Sequence, residues 1–227
     1  MDRRFFIGAG GLAVAGGAGW WLLRDGGTGA GSTAIVQGAE AQGTETATEA
    51  DFARVPDMSR GDPDAPVTVI EYASLTCPHC ATFHRNVMPR LKEEYVDTGQ
   101  VYFITREVYF DRYGLWAAML ARCGGEARYF PMIEMIFENQ REWASSNDPA
   151  VVVENLRRLG RRSGLSNDEI DACLQDADQA RAMVAVYQHH ATNDRIEATP
   201  SFVVDGELHS NMSFEAFSAL LDQRLGL

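Results

Sequence analysis

The pattern of hydrophobic and polar positions predicts two buried strands in the first half of the chain. They cover residues 67–73 (VTVIEYA) and 101–106 (VYFITR), and both are rich in the β-branched and aromatic residues that strands favour. Between them, residues 78 to about 96 predict a helix, with Pro78 in the first turn, where its missing N–H costs little. A strand, a helix and a strand at this spacing predict a right-handed βαβ unit.

From about residue 111 to residue 191 the pattern becomes helical. A predicted helix over residues 113–123 is stopped by two glycines, and apolar residues at 132–137 mark another helix. Asp148 before a proline, and Ser166 three residues before Glu169, are the cap residues that begin two further helices. A long helical segment is therefore expected between two stretches of strand.

Strands return near the C-terminus. Residues 201–204 and 207–209 are separated by Asp205 and Gly206, a two-residue turn that favours a β-hairpin. Ser213 then caps a final predicted helix, which carries apolar residues at helical spacing. The predicted order of elements is βαβ, helical insertion, ββα.

The N-terminus has the layout of an export segment. Arginines at positions 3 and 4 precede an uncharged apolar run from residue 5 to residue 23, and the paired arginines resemble a twin-arginine signal. The run is also long enough to span a bilayer, with Trp20 and Trp21 at the interface. We therefore expect residues 1–23 to be a cleaved export signal or an N-terminal membrane anchor, with a buried core helix as the remaining alternative. Either of the first two places the rest of the chain outside the cytoplasm.

The composition after this segment predicts first a linker and then a globular domain. Residues 24–53 are mostly Gly, Ala, Thr, Ser and Glu with little apolar periodicity, which favours a flexible linker. The 227-residue chain is 45% apolar, enough for an ordinary core. Its formal net charge of -12 argues against nucleic acid as a partner, because phosphate binding needs clustered Lys and Arg.

Two of the four cysteines carry the candidate chemistry. Cys77 and Cys80 enclose Pro78 and His79 in a Cys-Pro-His-Cys motif, where the first strand passes into the first helix. A helix start offers free N–H groups and a partial positive charge, which stabilise a thiolate, the form that attacks disulfides. We predict Cys77 as the exposed nucleophile and Cys80 as the enclosed resolving thiol. His79 is expected to add a donor or a positive charge beside Cys77.

Zinc binding is the main alternative for this motif. Cys77, Cys80 and His84 offer three ligands and His79 is adjacent, whereas a structural zinc site usually takes four ligands, often from two separated pairs. The remaining two cysteines lack the C-x-x-C spacing of a second pair. The spacing therefore favours redox chemistry without a metal, and an inert structural bridge is the third alternative.

The remaining cysteines, Cys123 and Cys173, both lie in the predicted helical segment. We expect them to form a structural disulfide that closes a loop of about 50 residues and stabilises the fold by up to about 4 kcal/mol. The alternative is a pair of separate buried thiols, which would behave as small apolar residues.

Two segments on either side of the helical insertion carry a family resemblance. They are residues 69–80 (VIEYASLTCPHC) and residues 199–206 (TPSFVVDG). Over about residues 54–225 the chain resembles the DsbA-like branch of the thioredoxin superfamily, the bacterial periplasmic dithiol oxidases. The resemblance implies an α/β, thioredoxin-like fold with an inserted α-helical domain. The thioredoxin-like domain would take residues 54–110 and 191–227, and the insertion residues 111–190.

The resemblance also assigns residues around the cysteines. It implies that Thr199-Pro200 is a cis peptide facing them, which leaves backbone groups of Thr199 free to pair with an extended client peptide. Glu71, six residues before Cys77, matches the family's acidic residue beneath the active site and is expected to relay the proton of Cys80. A solvated Glu71 at a strand edge is the alternative.

The function that the resemblance implies is disulfide exchange in the periplasm. An enzyme of this kind introduces disulfides into reduced exported client proteins, needs no cofactor, and is reoxidised by a membrane protein of the DsbB type. Two alternatives stay open. One is a disulfide reductase or isomerase acting on exported proteins or metallochaperones, and the other is a metal- or peptide-binding thioredoxin-like module without turnover.

Overall fold

The computed structural model describes residues 46–227 of the protein. Residues 1–23, predicted as an export signal or membrane anchor, lie outside the described residues, as do residues 24–45 of the predicted linker. Of the helices within residues 46–227, none is both long enough and apolar enough to cross a membrane.

Strands and helices in the described part of the chain follow the predicted order. The strands are β1 (Met58–Arg60), β2 (Val67–Ala73), β3 (Val101–Glu107), β4 (Ser201–Val204) and β5 (Glu207–Ser210). The helices are α1 (Glu49–Arg54), α2 (Pro78–Asn86), α3 (Met88–Leu91), α4 (Arg112–Cys123), α5 (Glu126–Glu138), α6 (Gln140–Trp143), α7 (Pro149–Arg162), α8 (Asn167–Gln175), α9 (Ala177–Asn193) and α10 (Phe214–Leu225). A π-helical turn, Lys92–Val96, follows α3.

The strands form one mixed sheet with β2 in its centre. The order is β1-β3-β2-β4-β5, in which β2 and β3 are parallel and all other neighbours are antiparallel. The sequence patterns do not predict β1, which has only three residues and pairs with the outer side of β3. The βαβ unit, the hairpin and the helices between them confirm the predicted α/β fold with an inserted helical domain.

The core of the helical insertion continues into the active-site region. Buried aromatic side chains of the insertion, among them Trp116, Tyr129 and Trp143, share one apolar cluster with Cys80 of α2. A second cluster joins α2, the sheet and α10. The insertion therefore helps to bury the second cysteine of the motif.

The helix predicted over residues 78–96 is interrupted. α2 ends at Asn86, and the φ angle of the next residue, Val87, is −113°, away from the helical value. Pro89 explains the break, because proline has no N–H to continue the helical ladder and its ring clashes with the carbonyl group four residues earlier. The chain reaches β3 through α3 and the π-helical turn.

The predicted linker over residues 24–53 is wrong at its C-terminal end, which forms α1. Thr48 and Asp51 make a capping box that begins this helix. The Asp51 carboxylate also contacts Arg181 of α9 at 3.2 Å, and the ring of Phe52 packs edge-on against a histidine of α9. Tertiary contacts therefore order a segment whose composition alone predicts no structure.

The second pair of cysteines joins two helices of the insertion. Cys123, the last residue of α4, is disulfide-bonded to Cys173 of α8, 50 residues further along the chain. The alternative of two separate thiols does not apply to this structure. The bond lies in the insertion, outside the Cys-Pro-His-Cys motif.

Gly61, directly after β1, is a position where alanine is expected to destabilise the fold. Its φ is +95°, and an added Cβ atom would lie 2.5 Å from the carbonyl oxygen of Val101. Gly99 is a matched control, because its φ is +75° but an added Cβ would meet nothing within 4 Å. We expect Gly99→Ala to lower the free energy of unfolding by about 1 kcal/mol and Gly61→Ala by about 3 kcal/mol. Chemical denaturation measures both, and equal losses would contradict the steric argument.

Candidate active site

The Cys-Pro-His-Cys motif lies where β2 passes into α2. Cys77 occupies the N-cap position with an extended backbone (φ −78°, ψ 120°), and Pro78 is the first residue of the helix. The Thr76 hydroxyl donates a hydrogen bond to the Asp111 carboxylate at 2.6 Å, and Asp111 in turn caps α4. The first helix of the insertion therefore anchors the segment that presents Cys77.

The two cysteines of the motif are free thiols in different surroundings. Cys77 is partly exposed, whereas Cys80 has no accessible surface. The pKa of Cys77 is lowered from 9.0 to about 5, chiefly by a hydrogen bond from the Cys80 thiol. Burial opposes the shift, whereas the Thr199 side chain and the backbone N–H groups of Cys80 and His79 add to it. Burial raises the pKa of Cys80 far above its usual range, and its hydrogen bond to Cys77 and the charge of Glu71 raise it further. At neutral pH the site therefore holds one thiolate and one thiol.

The peptide segment before β4 faces the first cysteine. The Thr199-Pro200 bond is cis, as the family resemblance implies. When Cys77 carries its proton, its thiol donates a hydrogen bond to the carbonyl oxygen of Thr199 at 3.4 Å. The backbone of Thr199 therefore lies beside the reactive sulfur.

Glu71 lies on the central strand and has no exposed surface. It pairs with Thr105 of β3 on one side and Phe202 of β4 on the other, so the alternative of a solvated strand edge is wrong. Its two carboxylate oxygens lie 2.9 and 3.1 Å from Nε2 of His84. After burial and the bond to Cys77, the Glu71 charge is a further cause of the raised pKa of Cys80.

The histidines that the sequence offers as zinc ligands have other roles in the structure. His84 directs Nε2 at Glu71, and His79 exposes its side chain while its backbone N–H faces the Cys77 sulfur. Within residues 46–227, no three His, Cys, Asp or Glu side chains are grouped so that they could hold a metal ion. The side chain of His79, expected to add a donor or a positive charge beside Cys77, is exposed, and the contribution of His79 to the low pKa of Cys77 comes from its backbone N–H.

Gln140 of α6 belongs to the site, although the sequence patterns do not indicate it. Its side chain is buried, and Nε2 donates to the carbonyl oxygens of Leu75 at 2.8 Å and Cys77 at 2.9 Å. These bonds satisfy two carbonyl groups within the turn between β2 and α2, where buried polar groups need partners. A single glutamine in a helical stretch has no distinguishing pattern, so only the three-dimensional contact reveals its role.

Comparison with known proteins identifies the family. A sequence model of the thioredoxin family matches residues 53–223. The crystal structure of Wolbachia pipientis alpha-DsbA1 matches with a TM-score of 0.70 at 32% sequence identity, covering 76% of this chain and 92% of that one. The chain belongs to the DsbA-like branch of the thioredoxin superfamily.

Sequence relatives of this DsbA-like chain carry names from disulfide chemistry. A Rickettsia bellii protein, whose name places it among the protein-disulfide oxidoreductases, is 33% identical over 170 residues, which are 74% of this chain and 64% of that protein. Disulfide bond formation protein D of Bacillus subtilis is 38% identical over 165 residues, which are 67% of this chain and 69% of that protein. The chain thus spans less than two thirds of the length of the Rickettsia relatives it matches.

In this DsbA-like site, the pKa of Cys77 is expected to depend on Cys80. Because the hydrogen bond from the Cys80 thiol is the main cause of the low pKa, Cys80→Ala is expected to raise the pKa of Cys77 from about 5 toward 9.0. The rise should stop short of 9.0, because the effects of the Thr199 side chain and the backbone donors remain. Thiolate absorbance and the alkylation rate of Cys77, followed against pH in the reduced protein, measure the shift. In Cys77→Ala the part of the titration curve that comes from Cys77 is expected to disappear, which identifies it. If Cys80→Ala titrates at the same pH as the wild type, the hydrogen bond from Cys80 is not the main cause of the low pKa.

Loss of Gln140 is expected to loosen the turn between β2 and α2. Gln140→Leu removes the donor of the buried Leu75 carbonyl and leaves the Cys77 carbonyl with only the Ala81 N–H, so we expect the free energy of unfolding to fall by about 2 kcal/mol. Gln223→Leu, on an exposed part of α10, makes the same chemical change and is expected to cost less than about 0.5 kcal/mol. Chemical denaturation compares the two variants, and equal values would show that Gln140 does not stabilise the turn.

Proposed function

We propose that the protein is an exported thiol–disulfide oxidoreductase that introduces disulfides into reduced client proteins in the periplasm. The observation that carries this proposal is the unequal ionisation of the two sulfurs. The hydrogen bond from Cys80 gives Cys77 a pKa of about 5, whereas burial keeps Cys80 protonated. An accessible thiolate beside a protected thiol is the arrangement that a two-step disulfide exchange requires.

The oxidised protein would begin the cycle with a disulfide between Cys77 and Cys80. A client thiolate attacks the Cys77 sulfur and forms a mixed disulfide, while the electrons of the broken bond leave with Cys80, which takes up a proton. A second client thiolate then attacks the client sulfur of the mixed disulfide and releases Cys77 as a thiolate. The client gains one disulfide, and the protein is left with two reduced cysteines.

The low pKa of Cys77 favours the oxidase direction. A sulfur with a low pKa leaves readily, and a stable thiolate makes the reduced protein the favoured product. Folding lowers this pKa from 9.0 to about 5, so the stabilisation of the reduced form is complete above about pH 9. It decreases as the pH falls and is lost below about pH 5. At neutral pH part of it remains, which supports oxidation of client proteins over their reduction.

Thr199 and Glu71 are proposed to assist the two cysteines. The carbonyl oxygen of Thr199 lies 3.4 Å from the Cys77 sulfur. An extended client segment that pairs with the backbone of Thr199, next to Pro200, would therefore bring its own sulfur to Cys77. Glu71 is proposed to accept the proton of Cys80 whenever that thiol becomes the attacking group.

Other observations support the proposed location and the proposed reoxidation partner. The basic and apolar residues 3–23 support export, and the name of the Bacillus subtilis relative supports disulfide formation. Each cycle leaves Cys77 and Cys80 reduced, so we propose a membrane protein of the DsbB type as the oxidant that restores their disulfide. A reductase or isomerase would use the same cysteines in the opposite direction, and a metal- or peptide-binding module would show no turnover.

Oxidation of a reduced, unfolded client protein tests the proposal. The oxidised wild-type protein is expected to convert client thiols to disulfides. With Cys77→Ala, the client is expected to oxidise only at the rate seen in buffer without the protein. The double variant Cys123→Ala/Cys173→Ala removes the other disulfide and is expected to keep client oxidation. If Cys77→Ala oxidises the client as fast as the wild type, the assignment of the nucleophile is wrong.

The redox potential of the Cys77–Cys80 pair separates the oxidase from the reductase. Equilibration with glutathione buffers is expected to give a potential well above that of thioredoxin, which is about −270 mV. A potential near the thioredoxin value would support a reductase instead.

A further inference from the structure

Resting on the proposed function, we propose that His84 releases a proton toward a groove on the protein surface when Glu71 takes up the proton of Cys80. The route begins at the buried sulfur, crosses the carboxylate on the central strand and leaves through the imidazole ring. It would serve the half of the cycle in which Cys80 has to give up its proton.

Helix α2 and strand β2 carry the three side chains of the route, which are Cys80, Glu71 and His84. Cys80 and His84 lie one turn apart on the same face of α2, because residues four apart in a helix are neighbours on its surface. Cys80 is 0% exposed and His84 is 8% exposed. Glu71 of β2 holds both carboxylate oxygens against Nε2 of His84, at 2.9 and 3.1 Å. The carboxylate is also close enough to Cys80 for its charge to oppose ionisation of that thiol, in addition to the larger effect of burial.

The second nitrogen of the His84 ring is an independent observation. Nδ1 is buried and makes no hydrogen bond to any described residue, whereas buried polar atoms normally have a partner. The ring stacks on Phe137 of α5 with the centroids 4.2 Å apart, and both side chains line a groove beside α2 and α5. One nitrogen is therefore held on the carboxylate, and the other is buried without a partner among residues 46–227, on a residue that lines the groove.

The route acts during reoxidation, when Cys77 and Cys80 form their disulfide again. During reoxidation Cys77 forms a mixed disulfide with the partner, and Cys80 attacks Cys77 to close the internal disulfide. The Cys80 proton passes to Glu71, the electron pair of the Cys80 sulfur forms the new bond, and the partner's sulfur leaves with the electrons of the old one. Nε2 of His84 already holds the hydrogen of its bond to Glu71, so when Glu71 becomes neutral the imidazolium releases its Nδ1 proton toward the groove, and it regains one when Cys80 next takes its proton back from Glu71. One proton leaves for each disulfide formed.

Other titratable and charged side chains share the groove with His84. They are Arg60 on β1, Arg85 on α2, Lys92 and Glu93 in the π-helical turn, Asp97 directly after that turn, and Glu134 and Glu138 on α5. Arg60 contacts Glu134 at 3.2 Å, and Lys92 contacts Asp97 at 2.7 Å. His84 is the single histidine among the residues that line the groove. A proton-transfer step in this region is therefore assigned to its ring, because an imidazole can both take up and release a proton.

Release of a coloured thiol from Cys77 isolates the step that needs the route. The reduced protein is converted to a mixed disulfide of Cys77 with 5-thio-2-nitrobenzoate, and attack by Cys80 releases the coloured thiolate. His84→Gln keeps an N–H donor for Glu71 but cannot take up a proton. His84→Phe keeps an aromatic ring against Phe137 and removes both functions. We expect release to be about 100-fold slower in both variants and to lose the pH dependence of the wild type.

Two control measurements separate proton transfer from a structural role. The alkylation rate of Cys77 does not depend on the route and is expected to stay unchanged, and the free energy of unfolding shows whether each variant is folded. If His84→Gln releases the thiol as fast as the wild type, the route is overturned, whatever the rate of His84→Phe. If the wild type releases the thiol rapidly but does not oxidise a client, the proposed function is wrong while the proton route remains supported.

Nitrogen-15 NMR of the wild-type protein provides a test that needs no variant at His84. With Cys77 blocked by alkylation, a proton route through His84 predicts that the resonances of Nδ1 and Nε2 change with pH as the ring gains and loses a proton. A ring that stays in one tautomer and one protonation state at every pH would overturn the proposal.

Discussion

The hydrogen bond from the Cys80 thiol to the Cys77 sulfur is the interaction on which the rest of the site depends. It is the main cause of the low pKa of Cys77, and the free N–H groups at the start of α2 act in the same direction. The bond persists only while Cys80 keeps its proton, and Cys80 keeps it because the sulfur is buried. The packing around the buried Cys80 sulfur therefore sets the reactivity of the partly exposed Cys77 sulfur.

The helical insertion supplies much of that packing and also holds the turn before α2. Cys80 belongs to the apolar cluster that the insertion builds around its aromatic residues. Asp111 of the insertion accepts a hydrogen bond from Thr76, and Gln140 donates to two carbonyl groups within the turn. A change in the packing of the insertion would therefore reach the sulfurs through the burial of Cys80 and through the geometry of the turn.

Local patterns predict those parts of the site that depend on neighbours in the sequence. Cys77 is predicted at a strand-to-helix junction because the strand residues, the proline and the helix all lie within a few positions of it. Gln140 is not predicted, because its partners lie more than 60 positions away and a buried glutamine resembles a surface one in sequence. Pro89 is a local reason for the end of α2, but the spacing of apolar residues alone does not indicate it. The spacing of Cys80 and His84 places both on one helix face, but the carboxylate that joins them is brought there by the sheet.

The sheet buries two glutamates, and the partner of each reflects what that carboxylate has to do. Glu107, at the end of β3, is held by Arg122 through contacts of 2.8 and 2.7 Å. Burial tends to lower the pKa of Arg122, but the Glu107 charge outweighs this and raises it above its usual range, so the cation is permanent. Glu71 has a histidine instead, a side chain that can lose and regain a proton near neutral pH. A permanent cation on Glu71 would keep the carboxylate ionised and give a proton from Cys80 no onward path, so a titratable partner suits the position beside the sulfur that has to lose its proton.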